Sequence, residues 1–163
     1  METLINPVIA LLFLVISGTV YAEHSFSRGD VTVTHPWSRP TPPGVPMGVG
    51  YMVISNQGDT AITFVGATTP KAEKVTLHQS MMKDDMMSMR PLTEGLSIPA
   101  GETVKLEPHS YHLMLEGLRG AVGKGESFPM TLNFDSLAPM QIELHTMPMA
   151  SSGSPEKPSA HDH

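Results

Sequence analysis

An all-β sandwich is the fold class this sequence predicts, and three observations predict it. Short segments rich in β-branched or alternating residues recur at close spacing. Turn formers separate them. Long helical periodicity is missing. Taken in order, "DVTVT" (Asp30–Thr34) alternates, and "GYMVISN" (Gly50–Asn56) and "AITFVGA" (Ala61–Ala67) end in turn residues. "EKVTLH" (Glu73–His78), "TVKLE" (Thr103–Glu107), "YHLMLEGL" (Tyr111–Leu118), "FPMTLNF" (Phe128–Phe134) and "MQIELH" (Met140–His145) follow. The turns between them read "NQGD", "IPAG", "EPHS" and "GKGE". Eight or nine antiparallel strands in two packed sheets are expected.

Three stretches lie outside that pattern. "VIALLFLVI" (Val8–Ile16) is apolar but too short to span a bilayer comfortably. "VYA" (Val20–Ala22) follows it with residues a signal peptidase accepts, so residues 1–22 are expected to be a cleaved export signal. No membrane span is expected after that cleavage. "RPTPPGVP" (Arg39–Pro46) holds four prolines and predicts an extended, rigid loop. From Met147, "MPMASSGSPEKPSAHDH" has little to bury and predicts a flexible tail over 147–163. One domain over 23–146 remains.

Composition narrows the function. The net charge of -6 gives no basic footprint for nucleic acid. The chain has no cysteine, which removes disulfides, thiol redox chemistry, a blue-copper thiolate and the acylated cysteine of a lipoprotein. No nucleophile–base pair stands out, so an enzyme is not expected.

The methionines are the informative residues. "HQSMMKDDMMSMR" (His78–Arg90) places five of them in thirteen residues. A hairpin turning near Lys83-Asp84 would set His78 opposite Met89, with Met82 and Met87 on one face and Met81 and Met86 on the other. A different turn centre would change those pairs. Further on, His112 and Met114 in "HLM" point to one face of a strand. Brought near the hairpin, they complete a His-Met-His-Met set. Thioethers are neutral, soft and polarisable, and two of them with two imidazoles favour Cu(I) over Zn(II) or Cu(II). Met82 and Met87 are candidate alternate ligands, whereas Met81 and Met86 are expected to pack.

On these residues the chain resembles the periplasmic copper chaperones of the PCu(A)C type. Their signature is His, ten residues, Met, about twenty-one residues, then His-x-Met; His78, Met89, His112 and Met114 fall on it. "TPPGVPMGVGYMVISN" (Thr41–Asn56) and "LSIPAGETVKLEPHSYHLMLEGL" (Leu96–Leu118) match too. Here twenty-two residues separate Met89 from His112, and the extra one is expected in "RPLTEG" (Arg90–Gly95). The resemblance implies a cupredoxin-like, Greek-key sandwich. It implies a periplasmic metallochaperone that carries Cu(I). It also implies a copper-accepting partner: a cytochrome c oxidase subunit, at its CuA centre, or another copper chaperone. Periplasmic copper buffering or resistance is the alternative that needs the same site.

Other histidines and methionines are weighed against idle surface positions. His109 lies three residues before His112 and is a spare-ligand candidate. His24 would be the second residue after cleavage, and His35 reads as structural or surface. His145, Met147 and Met149 in "HTMPM", with His161 and His163 in "HDH", resemble the extension through which some relatives bind Cu(II).

Overall fold

The computed structural model describes residues 24–148. The expected signal segment, and Met149, His161 and His163 of the tail, lie outside the described residues. Among the described residues, eleven strands run in chain order: β1 (Ser25–Arg28), β2 (Val31–Ser38), β3 (Met47–Asn56), β4 (Ile62–Thr68), β5 (Ala72–Lys83) and β6 (Met86–Pro91), then β7 (Leu96–Ile98), β8 (Thr103–Leu106), β9 (Tyr111–Leu118), β10 (Ser127–Phe134) and β11 (Met140–Thr146). Among the described residues, no helix is long and apolar enough to cross a membrane.

The all-β class stands, and the strand count rises. β1 and β7 are the additions, with four and three residues, too short to declare a period of two. The expected two packed sheets are joined along one continuous hydrogen-bonded path, β6-β5-β9-β8-β3-β2-β11-β10-β4-β7, with β1 on β2. Pairing is antiparallel except for β11 on β2 and one β8–β9 bridge. β2 carries the join. Its ladder with β3 breaks between Thr34 and Trp37, where His35 adopts a left-handed φ of 54°. Such a bulge bends a strand and sharpens its twist. Beyond it, Trp37 and Ser38 pair with β11 as well as β3. His35 itself is exposed at the bulge.

The path closes over a single core drawn from both of its halves, including Val33, Met52, Ile54, Phe64, Leu113, Leu115, Leu132 and Leu144. Gly50 on β3 marks how closely the layers approach: a Cβ there would lie 3.2 Å from the Leu144 side chain of β11. Burying such side chains supplies about 25 cal/mol per Å² of apolar surface removed from water. The prolines of 39–46 occupy a loop without strand structure, as predicted. Thr41 pins that loop: its N–H donates to the Val122 carbonyl, and its hydroxyl accepts from the Val122 N–H at 2.9 Å.

β5 and β9 position the candidate ligands. Leu113 and Leu115 point into the core, so the alternation turns His112, Met114 and Glu116 to the opposite face. β5 has twelve residues and outruns β9. Its first part pairs β9 through Gln79, and the remainder projects with β6 as a hairpin.

Candidate metal centre

The hairpin turns at Asp84-Asp85, one residue later than expected. Both aspartates have left-handed φ, 51° and 60°, and Lys83 pairs with Met86. Two consecutive positive φ values define the tight turn that suits strand twist, and Asp tolerates them better than Lys does. The register therefore moves by two residues. His78 faces Pro91, Met89 faces Ser80, and Met82 faces Met87. The predicted direct His78–Met89 pairing is corrected accordingly. A two-residue shift preserves the faces, because side chains alternate with period two. His78, Met82, Met87 and Met89 still share one face, with Met81 and Met86 on the other.

The partner directly opposite His78 is His112 on β9. Their rings lie 5.8 Å apart, inclined by 29°. Met114 sits one pair further along the same face, between Val49 of β3 and Thr76 of β5. Met114, His112 and Met89 line an open cleft of about 400 Å³ together with Arg39, Tyr51 and His109. The four predicted ligands thus converge on one region of one sheet face. His112 is buried, His78 and Met114 are half-buried, and Met89 is exposed at the mouth.

Hydrogen bonds assign a tautomer to each imidazole. Glu116 can only accept, so the Thr76 hydroxyl donates to its Oε1 at 3.0 Å. The same hydroxyl then accepts from His78 Nε2–H at 2.9 Å. His78 Nδ1 is left with its lone pair, buried and without a partner. An orphaned buried nitrogen calls for a ligand or water to explain it. His112 is fixed by its other nitrogen: Nδ1–H donates to the Ser110 carbonyl at 3.1 Å, which frees Nε2. Ser110 also accepts from the Ser80 N–H, tying the loop before β9 to the hairpin. Each ring therefore offers one basic nitrogen and uses the other as an anchor, the arrangement typical of metal-binding histidines.

Electrostatics favours the neutral ring. Burial pushes the His78 imidazole below its ordinary pKa, and the neighbouring His112 lowers it further. Glu116 opposes this and Lys74 adds to it, each with a smaller effect. A neutral imidazole is the form that binds a metal. Across the cleft, burial raises the Tyr51 phenol, against the effect of Arg39. Trp37 packs on Tyr51 with ring centroids 4.5 Å apart, and the Arg39 guanidinium lies 5.8 Å from each ring.

The remaining candidates separate. His109 has a left-handed φ of 66° in the turn before β9 and lines the cleft, within the ligand region. His145 and Met147 are not among the cleft walls. His145 instead shares a hydrogen bond between its Nδ1 and the Ser127 hydroxyl, 2.6 Å long, and packs against the His24 ring at 3.9 Å. Thr76, Glu116, Arg39 and Tyr51 were not anticipated. Period two continued from "TLH" and "HLMLE" would have put Thr76 beside His78 and Glu116 beside Met114. Arg39 and Tyr51 carry no local signal, since only the β2–β3–β9 register brings them in.

Residues 31–147 match the family model described as "Putative lipoprotein LpqE-like". Protein Lxx21020 of Leifsonia xyli subsp. xyli, which carries the same lipoprotein description, is 31% identical over 116 residues, 70% of this chain and 69% of that one. The chain belongs to this family, the PCu(A)C family. Solved PCu(A)C domains share its cupredoxin-like fold. The copper-bound domain of PmoF2 aligns with a TM-score of 0.65 at 20% identity, covering 77% of this chain and 98% of that one. Apo DR1885 of Deinococcus radiodurans aligns at 0.58 with 24% identity, covering 91% and 94%. The Cu(I) form of DR1885 aligns at 0.53 with 29% identity, covering 69% and 74%.

Proposed function

We propose that this PCu(A)C chain is an exported metallochaperone that binds Cu(I) through His78, Met89, His112 and Met114 and passes it on by ligand exchange. The observation that carries the reading is the donor set. Two imidazoles, directly opposed across β5 and β9 and each with one free nitrogen, share a sheet face with two thioethers, and the cleft lined by Met89, His112 and Met114 has no carboxylate or thiolate in its walls. Among the described residues, no three His, Cys, Asp or Glu side chains are grouped to hold a harder metal. Soft neutral donors suit Cu(I), and the lack of thiolate keeps the ion exchangeable. A Cu(I) form of the relative DR1885 supports the same cargo. The ion is cargo, and the protein is not an enzyme on this reading.

Exposure of Met89 at the mouth gives the acceptor a ligand to displace first, while the buried His112 lets go last. The recipient implied by the family resemblance is a cytochrome c oxidase subunit, at its CuA centre. The apolar N-terminal run and the lipoprotein description of the relatives support export to the periplasm. Acylation at a cysteine is not available to these 163 residues, which contain none.

Competition for Cu(I) against a chromogenic chelator tests the binding. The unsubstituted chain should take up Cu(I), and a His112→Ala, Met114→Ala double variant should release it to the chelator. Equal uptake by both would reject the site. Delivery is tested by deleting the protein and assaying oxidase at low copper. Lost oxidase activity is expected; unchanged oxidase with raised copper sensitivity would favour buffering.

A further inference from the structure

The proposed site uses one of the five methionines on the β5–β6 hairpin, and core packing does not explain the other four. Met82 is 69% exposed, Met87 46%, Met81 39% and Met86 71%. Their pairing distinguishes them. Met82 and Met87 are directly opposed, next to the Asp84-Asp85 turn, on the face that carries His78 and Met89. On the other face no two methionines meet: Met81 faces Ser88 and Met86 faces Lys83. Directly opposed residues have Cβ atoms about 4.5–5.5 Å apart, so two flexible thioethers there can close on one ion. Met87 also lines the cleft that holds Met89, His112 and Met114.

We propose that Met82 and Met87 form a second site, a two-thioether clasp for a soft monovalent cation of the Cu(I) or Ag(I) kind, at the hairpin tip beside the cleft. Two neutral sulfur donors leave the ion under-coordinated and exposed, so it is held more weakly than by four ligands and exchanges readily. Binding changes no oxidation state and releases no proton, because thioethers are never protonated in this range. The clasp does not depend on the cleft site: the cleft could fail to bind and the clasp would still stand.

Silver(I) titration of protein carrying ¹³C-methyl methionine tests it, since Ag(I) is a soft probe that does not change oxidation state. In the His112→Ala, Met114→Ala background, the Met82 and Met87 methyl signals should shift together, and those of Met81 and Met86 should stay. Met82→Leu with Met87→Leu in that same background should remove the remaining equivalent of silver. Unmoved Met82 and Met87 signals, or equal shifts at Met81 and Met86, would overturn the clasp. Failure of the cleft reading has a different signature: in the otherwise unsubstituted chain, the Met89 and Met114 methyls would not respond.

Discussion

His78 and His112 stand directly opposite one another on β5 and β9, with their rings 5.8 Å apart. Such proximity between two basic rings is unfavourable when both are protonated and favourable when they share a cation. The copper reading therefore predicts that each is needed. Single His78→Ala and His112→Ala variants should each weaken Cu(I) binding roughly tenfold or more, about 1.4 kcal/mol or more, in chelator competition. Circular dichroism should report an intact sheet in both.

The Glu116–Thr76–His78 chain predicts a loss that removes no ligand. Thr76→Val keeps the β-branched shape but deletes the hydroxyl that accepts from His78 Nε2–H. Copper affinity should fall roughly 10- to 100-fold, the usual cost of losing a group that orients a metal-binding histidine. Thr76→Ser should restore most of it. The ¹⁵N chemical shifts of the His78 ring should report its tautomer becoming mixed in the valine variant.

His78 also sets a pH dependence. Its folded-state pKa is lowered by burial and by His112. Above the ordinary histidine value of about 6.5, the ring is neutral in both folded and unfolded chains. As pH falls below that value, the unfolded chain takes up the proton first, so the group's contribution to stability is lost as pH falls through the lowered folded value. Stability of the apo protein should thus drop more between pH 7 and 5 in the unsubstituted chain than in His78→Gln, measured by urea unfolding. Copper should be retained to lower pH than an ordinary histidine ligand would allow.

The hairpin turn makes a purely conformational prediction. Asp84 and Asp85 both need left-handed φ. Asn-Gly at these positions should leave the hairpin intact or tighten it. Val at either should cost about 1–2 kcal/mol locally. Faster amide exchange at the hydrogen-bonded strand positions near Lys83 and Met86 is the readout, because an edge hairpin can fray without global unfolding.

The fold was largely legible in the sequence because it rests on period-two patterning, which "YHLMLEGL" and "FPMTLNF" display openly. β1 and β7 were not, since three or four residues carry too little pattern. The continuity of the sheet was hidden for a different reason: it depends on one bulge in β2 at His35, a local backbone choice with no compositional mark. At the candidate site, the faces of His78 and Met89 were readable and their pairing was not. Alternation keeps the faces because the register moves by two residues, whereas the register itself depends on which two residues adopt positive φ. The cross-strand closeness of His78 to His112 was beyond reach, because residues thirty-four apart in sequence meet only through the β5–β9 register.

X-ray absorption at the copper edge of the Cu(I)-loaded protein tests the central claim most directly. Two sulfur and two nitrogen scatterers are predicted for the ion bound by His78, Met89, His112 and Met114, with sulfur lost in the Met89→Ala, Met114→Ala variant. A first shell of nitrogen and oxygen alone would contradict the account and move the ion away from the cleft.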